Sequence, residues 1–336
     1  MNYVDNQIIF MIGFALLLFI FPIISTIKKK KSNNAKEKLS NNNEFVLKNK
    51  EMIEKSLDMN SQELKSYRIR TLVALIFFIM SLASFVIIDN KAISIALCII
   101  MTIIFGVCYV SYNNKNSEKY DEIVQKTLHE IDSDFSYSPN AGFTEEEYKL
   151  CLFPEMCDRF SSEDMITNTK NNFCYSDILV ESEHEDSDDR TYYITEFAGS
   201  LAKINIKNTN CRIYLGSTKE KFIFGKNDYI RINFENDEFN DLFRACSNNE
   251  LLAYKILTPD VMEEFVNIKK NTYGDIDIRI IDDRLYIRFL TGNTFDSKLF
   301  GKESEKKELL QSIAILEEVM KTMEKVKGII ENKNMD

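Results

Sequence analysis

The sequence predicts an α+β protein in which N-terminal transmembrane helices precede a soluble domain with an antiparallel sheet covered by helices. Three observations support this fold class. Two apolar runs without charged residues cover 71–88 and 92–112. From Thr191 onward, apolar and polar side chains alternate with a period of two. Stripes of apolar residues at helical spacing recur in the remaining segments.

Residues 1–31 are predicted to form a first transmembrane helix with a basic flank. No Lys or Arg precedes the apolar run over 8–27, which ends at Lys28 and three further lysines. A secretory signal peptide has the opposite order, because its positive charges precede the apolar segment. Pro22 lies inside the run and predicts either a kink or the point where the helix leaves the bilayer.

Residues 71–112 are predicted to form a transmembrane helical hairpin. Each of the two apolar runs is long enough to cross a hydrocarbon core of roughly 30 Å as a helix. Only Asp89, Asn90 and Lys91 separate the runs, which leaves room for a tight turn at one face of the membrane. The alternative is two buried core helices of a soluble protein. On the first interpretation, three transmembrane helices contact the lipid bilayer.

The distribution of basic residues predicts a multi-pass protein of the cell membrane with its N-terminus outside and its C-terminal domain in the cytoplasm. Twelve Lys and Arg residues lie between residues 28 and 70, and such residues concentrate on the cytoplasmic side. In the alternative orientation, with the first helix reversed, this basic segment would be outside. The spans contain no charged side chain to mark an ion pathway, which favours an anchor over a transporter.

Residues 32–70 are predicted to be a cytoplasmic linker followed by a juxtamembrane helix. Ser, Asn, Lys and Glu dominate 32–43, a composition typical of flexible linkers. One apolar stripe at helical spacing precedes the hairpin and another follows it. Their residues are Val46, Ile53, Leu57, Leu64 and Tyr67, and then Tyr120, Ile123, Val124, Leu128 and Ile131. The stripes could form a helical stalk or pack on the soluble domain, and the sequence leaves both open.

Residues 113–336 are predicted to form one cytoplasmic α+β domain. A capping box at Thr144 and Glu147 predicts a short helix that ends near Phe153. Further helices are predicted over 237–243, from the Thr-Pro pair at 258–259 onward, and over 306–330. The acidic segment 181–189 is predicted to be a solvated loop.

Antiparallel strands are predicted for the rest of this domain. Residues 191–232 are predicted to form a meander whose turns are marked by Gly199, Asn208, Gly216 and Gly225. A further hairpin is predicted for 276–280 and 285–289, joined at Asp282 and Asp283.

Charge and cysteine usage restrict the partners and the compartment. Residues 1–112 carry 13 Lys and Arg against 8 Asp and Glu, a net charge of +5, whereas 113–336 carry 29 against 44, a net charge of −15. The acidic domain lacks the clustered basic residues that neutralise phosphates, so no nucleic-acid partner is expected. Seven cysteines without paired spacing predict reduced thiols in the cytoplasm.

No catalytic, cofactor-binding or metal-binding residue is assigned from the sequence. His129 and His184 are too few for histidine-rich metal binding, and the chain has no Gly-rich phosphate loop. The best catalytic candidates are Glu163, Asp164 and Asp241, but helix capping or simple solvation explains each of these carboxylates.

The chain resembles the bacterial domain of unknown function 3137 family over roughly residues 115–330. The acidic-aromatic segment 234–239 with Phe243, followed by Ala253, the Leu-Thr-Pro at 257–259 and Met262, carries the resemblance. Upstream it includes Phe135, Tyr137, Pro139, the Ser-Glu-Asp triplet at 162–164, Ser176, Phe197 and Gly199. The chain has Thr-Asn-Thr at 167–169 where the family tends to have glycine. The resemblance implies membrane-proximal helices ahead of one cytoplasmic α+β domain, and it implies no activity.

These observations favour a membrane-anchored protein whose acidic cytoplasmic domain binds a protein partner or acts as a scaffold, with self-association as a further possibility. The alternative is a membrane-tethered enzyme or small-ligand sensor with a carboxylate-based site. An acidic surface suits a basic protein partner, although it can also serve solubility alone.

Overall fold

The computed structural model describes residues 51, 54, 55, 62, 64–87, 90–153, 157–186, 189–217, 229–272, 275–290, 295 and 302–332. The first transmembrane helix predicted over 1–31 lies outside the described residues. The same is true of most of the predicted linker and juxtamembrane helix over 32–70.

Two long apolar helices come first, as predicted. Helix α1 spans Lys65–Ile87 and helix α2 spans Lys91–Ile131. Asn90 caps α2, because its side-chain oxygen accepts the amides of Ala92 and Ile93 at 3.1 and 3.4 Å. Helix α2 has 41 residues and is therefore about 61 Å long. The apolar run over 92–112 and the stripe that follows it thus belong to one uninterrupted helix.

Small and hydroxyl-bearing side chains line the contact between α1 and α2. Thr71, Ser81 and Ser94 are buried there, and the Thr71 hydroxyl donates to the carbonyl of Cys108 at 3.1 Å. Small residues allow such close approach between membrane helices. Large apolar side chains instead face outward, including Ile76, Phe77, Met80, Ile99, Ile103 and Val107. Both helices are long and apolar enough to cross a membrane, whereas core helices of a soluble protein would bury these side chains.

A nine-stranded antiparallel sheet forms the centre of the domain. The strands are β1 (Phe135–Ser138), β2 (Arg159–Asn168), β3 (Phe173–Glu185), β4 (Thr191–Asn205), β5 (Arg212–Ser217), β6 (Ile230–Ile232), β7 (Phe243–Ser247), β8 (Ile276–Ile281) and β9 (Arg284–Phe289). Their order across the sheet is β1-β2-β3-β4-β9-β8-β5-β7-β6. The predicted α+β class is therefore confirmed.

The sheet differs from the predicted meander in its strand order and in two of the predicted turns. Gly216, predicted at a turn, lies inside β5 and pairs with Arg244. The β8–β9 hairpin, correctly predicted, lies between β4 and β5, so these two sequential strands are not neighbours. Gly199, predicted at a turn, lies inside β4, where a Cβ atom would be 2.0 Å from the carbonyl oxygen of Phe289. Glycine at this position therefore allows β9 to pack close to β4, and it does not mark a turn of the chain.

The sheet also extends further toward the N-terminus than predicted. Strands β1, β2 and β3 precede Thr191, and β3 includes Glu181–Glu185 of the segment predicted to be a loop. This part of the prediction was wrong because Glu181–Glu185 pair across the sheet with Thr191–Thr195. Cross-strand pairing here outweighs the solvation of the acidic side chains.

Short and long helices pack on both faces of the sheet. They are α3 (Glu145–Leu150), α4 (Asp237–Leu242), α5 (Glu250–Ile256), α6 (Pro259–Thr272) and α7 (Lys302–Glu331). The Thr144 hydroxyl accepts the amide of Glu147 at 3.2 Å, as the capping box predicts. The helices predicted from Pro259 and over 306–330 are confirmed as α6 and α7.

The larger core lies on one face, where α5, α6, α7 and the end of α2 meet the sheet. Tyr120, Val124 and Leu128 of α2 are at most 2% exposed there. Of the two alternatives for this stripe, packing on the domain is the one observed. A smaller core on the opposite face lies beneath α3.

Candidate functional site

The three carboxylates considered as catalytic candidates do not converge. Asp164 is buried on β2 with φ 59°, and it accepts the hydroxyl of Tyr137 at 2.5 Å. The side chain of Glu163 is exposed, and Asp241 is exposed on α4 at another part of the domain. The arrangement of Asp164 and Tyr137 ties β1 to β2 at a break in the β2–β3 register. The hydrogen bond between Asp164 and Tyr137 therefore has a structural role.

The pKa shifts of the titratable groups around Asp164 preserve its hydrogen bond with Tyr137. Burial raises the pKa of Tyr137, and the neighbouring Asp164 carboxylate raises it further. The phenol therefore stays protonated at neutral pH and keeps donating its hydrogen bond. Desolvation also raises the pKa of the nearby Asp121 carboxyl.

The histidines and cysteines do not supply a metal or nucleophile site in the described part of the chain. His129 is exposed on α2, whereas His184 is half-buried on β3. All seven cysteines are free. Burial raises the pKa of the Cys151 thiol to about 12 and that of Cys246 to about 11, so neither is a thiolate at neutral pH. Among the described residues, no three His, Cys, Asp or Glu side chains gather as metal ligands.

A buried ion pair lies on the sheet face beneath α3. Arg288 on β9 is opposite Asp277 on β8, and its Nε donates to the Asp277 carboxylate at 3.0 Å. The guanidinium also donates to the hydroxyl of Tyr148 on α3 at 2.8 Å. Arg288 and Asp277 are 2% and 4% exposed. The pair thus fixes α3 on the sheet and is closed to a ligand.

A second buried arginine lies beside this pair. Arg279 donates to the main-chain carbonyls of Cys151 at 3.0 Å and Leu215 at 2.8 Å. The ring of Phe153 contacts both guanidinium groups, 3.9 Å from Arg288 and 4.7 Å from Arg279, measured from Cζ to the ring centroid. The cluster therefore holds the segment after α3 against β5, β8 and β9.

An open groove of about 800 Å³ lies beside the buried arginines. Leu150, Leu152 and Tyr229 give it apolar lining, and Arg212 and Lys149 give it positive charge. Leu152 is 48% exposed and adopts φ 47°, an uncommon conformation for this side chain. Glu146 and Asp282 also line the groove, so its four charged groups balance. The groove offers an amphipathic surface without a net charge.

Exposed apolar side chains also lie on a two-stranded projection of the domain, here called the arm, formed by residues 182–185 of β3 and 191–196 of β4. Strand β9 pairs with β4 only from Ser200 to Asn205. Strand β2 pairs with β3 only as far as Glu181. The arm therefore extends beyond both neighbouring strands, and its tip connects β3 to β4.

Side-chain contacts give the two faces of the arm different chemistry. On one face, the His184 and Tyr192 rings stack at 5.6 Å and Ser182 is opposite Ile194. The Ser182 hydroxyl donates to the Glu196 carboxylate at 2.5 Å, which positions the residue that interrupts the register. This face is mainly aromatic and apolar.

The other face of the arm is acidic. Glu183 is opposite Tyr193 and accepts its hydroxyl at 3.1 Å. Arg159 lies over the Tyr193 ring at 5.5 Å, and its guanidinium is 3.7 Å from the Glu181 carboxylate. Residues 181–196 contain seven acidic residues and one basic residue, a net charge of −6.

Three consecutive apolar side chains on the arm, Tyr192, Tyr193 and Ile194, are 46%, 46% and 42% exposed. The sequence analysis predicted this strand from its alternating pattern but did not predict the exposure of its apolar side chains, and it assigned residues 181–185 of the partner strand to a loop. A signal was present in the Glu-Ser-Glu-His-Glu order of 181–185, because charged residues alternate there with a period of two.

Comparison with protein-family models matches residues 195–334 to the family described as "Protein of unknown function (DUF3137)". The match includes the predicted motifs from Phe197 to Met262. The upstream motifs, from Phe135 to Ser176, lie outside it, so their likeness stays a resemblance.

Curated proteins gave no match. Among solved structures, the chain is similar to the "crystal structure of the mycobacterial trehalose monomycolate transport factor A, TtfA", at 8% identity and a TM-score of 0.33. The similarity covers 60% of this chain and 93% of that chain. A likeness of this size supports no conclusion about function.

Proposed function

We propose that this protein, whose residues 195–334 match the model of the DUF3137 family, is a membrane-anchored scaffold whose cytoplasmic domain binds another protein. The observation that carries this proposal is the arm, where Tyr192 and Ile194 are exposed on one face and Tyr193 is exposed on the other. Clustered exposed apolar residues are typical of interaction surfaces. The candidate catalytic carboxylates, in contrast, are apart or take part in structural hydrogen bonds.

The two apolar helices supply the anchor in this proposal. Their outward surface is apolar along most of its length, and the 12 basic residues between 28 and 70 favour a cytoplasmic domain. Because α2 continues from the apolar segment into the domain core, the domain would be held at a fixed distance from the bilayer.

Cysteine labelling in intact cells tests this orientation. With the partly exposed Cys98, Cys108, Cys157 and Cys174 replaced by Ser, we expect Asn2→Cys and Asn90→Cys to react with a membrane-impermeant maleimide added outside. Thr191→Cys should react only after the cells are lysed. Labelling of Thr191→Cys in intact cells would place the domain outside and contradict the orientation.

Affinity capture tests the binding function. Full-length protein, solubilised in detergent from its native cells, should retain a protein partner that mass spectrometry identifies reproducibly. A form lacking residues 115–336 should lose that partner. Failure to recover any protein that depends on residues 115–336 would contradict the proposal.

The groove favours a small-ligand sensor as a second candidate function. Leu150, Leu152 and Tyr229 could contact an apolar group, and Arg212 could pair with a polar one. A small molecule retained by the captured protein, together with no protein partner, would support this candidate. Arg212→Ala should then release the molecule, whereas the exposed Arg231 offers a matched control in Arg231→Ala.

A further inference from the structure

The outer edge of β4 in the arm carries the first observation. Residues 191–196 pair with β3 on one side. On the other side, β9 ends its pairing at Ser200, and no strand among the described residues follows it along the arm. An unpaired strand edge is a template for another strand.

The hydrogen bonds of β3 show which backbone amides and carbonyls of β4 point outward along this edge. The Asp158 amide donates to the Glu181 carbonyl at 3.1 Å, and the Glu183 amide donates to the Asp158 carboxylate at 2.8 Å. Glu181 and Glu183 thus direct their backbone groups away from β4. Their opposite residues, Thr195 and Tyr193, form non-hydrogen-bonded pairs with them and direct their own amides outward.

Two of the usual protections of an edge strand, Pro and Lys, are missing here. Residues 191–198 contain neither Pro nor Lys, the residues that most often block edge pairing. The register break at Glu196 lies at the base of the arm, so the five residues beyond it stay regular. A strand of this length is typical of sheets in globular proteins.

The faces of the arm define the strand that would fit. A new strand beside β4 would place alternate side chains against Tyr192 and Ile194 on the apolar face. Its other side chains would lie on the face of Glu181, Glu183 and Glu185. These three glutamates favour basic residues at those positions of the new strand.

We propose that the outer edge of β4 over 191–196 binds an extended segment of the partner protein in which apolar and basic residues alternate, as an added antiparallel or parallel strand. This inference rests on the proposed binding function and names the class of partner segment. Main-chain hydrogen bonds would supply affinity, and the two faces would supply specificity.

Labelled peptides of about ten residues test the inference on full-length protein in detergent, with fluorescence anisotropy as the readout. An alternating Lys-Val peptide should bind. An alternating Glu-Val peptide, and a Lys-Val peptide N-methylated at alternate residues, should each bind at least roughly tenfold more weakly. Equal binding of the N-methylated peptide would overturn strand addition, because that peptide keeps the charge and loses the donors.

Two double variants distinguish peptide binding at the acidic residues of the arm from an effect of the protein's overall negative charge. Glu183→Lys with Glu185→Lys should weaken binding of the Lys-Val peptide by roughly tenfold or more. Asp241→Lys with Glu263→Lys makes the same change in net charge at exposed positions away from the arm and should leave binding unchanged. Equal losses in the two double variants would overturn the site.

Two further variants address the backbone and the apolar face. Thr195→Pro removes an outward amide without removing a β3–β4 hydrogen bond and should weaken peptide binding. Because proline at this position could disturb folding, Tyr192→Ser with Ile194→Ser provides an independent test on exposed side chains. Unchanged binding in the serine variant, with an unchanged melting temperature, would overturn the inference.

Other occupants give distinct results. If the edge pairs with a second copy of this chain, the mass of the solubilised particle should fall in Thr195→Pro, and that result would overturn the proposal of a different partner. If the captured partner depends on residues 115–336 but persists in all arm variants, the inference fails and the proposed function stands.

Discussion

At the scale of single residues, the buried pair of Asp277 and Arg288 makes the clearest prediction. Asp277→Asn would leave a guanidinium buried with only part of its hydrogen bonding. Breaking one partner of a buried pair costs about 3–5 kcal/mol. Urea denaturation should therefore show a loss of this size in the free energy of unfolding.

The matched control is a pair at the surface. Glu264 and Lys325 are 3.3 Å apart, but the lysine side chain is 64% exposed. Glu264→Gln should change the free energy of unfolding by less than about 1 kcal/mol. An equally small effect of Asp277→Asn would contradict the structural role given to the buried pair.

The thiol of Cys151 gives a pH dependence. Burial raises its pKa from 9.0 to about 12, so between these values the folded protein keeps a proton that the unfolded chain releases. Stability is fully present below about pH 9 and falls as pH rises, by up to about 1.4 kcal/mol per unit from this group. In Cys151→Ala this contribution is absent, and the free energy of unfolding should fall less steeply between these pH values.

Below about pH 8 the two proteins should respond to pH in parallel. Urea titrations at several pH values measure both slopes. Identical slopes above pH 9.0 would show that the thiol is more accessible to water than its burial indicates.

At the scale of elements, replacing each of two glycines by alanine should have opposite effects on stability, because the space for a Cβ atom differs between them. Gly199→Ala would place a Cβ atom 2.0 Å from a β9 carbonyl, and β4 or β9 would have to move. We expect a loss of about 3 kcal/mol or an insoluble protein. Gly328→Ala on α7 meets no atom within 4 Å and should instead stabilise by about 0.5–1 kcal/mol. Thermal denaturation of both variants checks the contrast.

The elements also show what local sequence patterns can predict. The apolar pattern identified α2, α7 and the strands of the β8–β9 hairpin, and the Thr-Pro pair at 258–259 identified the start of α6, because each of these signals is local in the sequence. It could not place β8 and β9 between β4 and β5, since that order depends on contacts between distant segments. The arm was missed for the same reason. Tyr192 and Ile194 alternate like residues of a covered strand, and the local pattern does not show that this part of β4 extends beyond the end of β9.

At the scale of the whole molecule, the domain should fold without the apolar helices only if it keeps the end of α2. A fragment of residues 113–336 contains the buried Tyr120, Val124 and Leu128 and should be soluble with a cooperative thermal transition. A fragment of residues 133–336 lacks them. Removing three such side chains costs more than the total stability of many domains.

The second fragment should therefore aggregate or lack a cooperative transition. Circular dichroism and size-exclusion chromatography of the two fragments compare them directly. A stable 133–336 fragment would mean that α2 contributes to attachment but not to the core.

The unbroken course of α2 has a consequence for geometry. An α-helix turns by about 100° and advances 1.5 Å per residue. One residue inserted between Tyr112 and Tyr120 would swing the domain by about 100° around the helix axis, while four would return it close to its first direction and lift it by about 6 Å. The number of residues between these two tyrosines therefore determines the direction in which the arm points around the axis of α2.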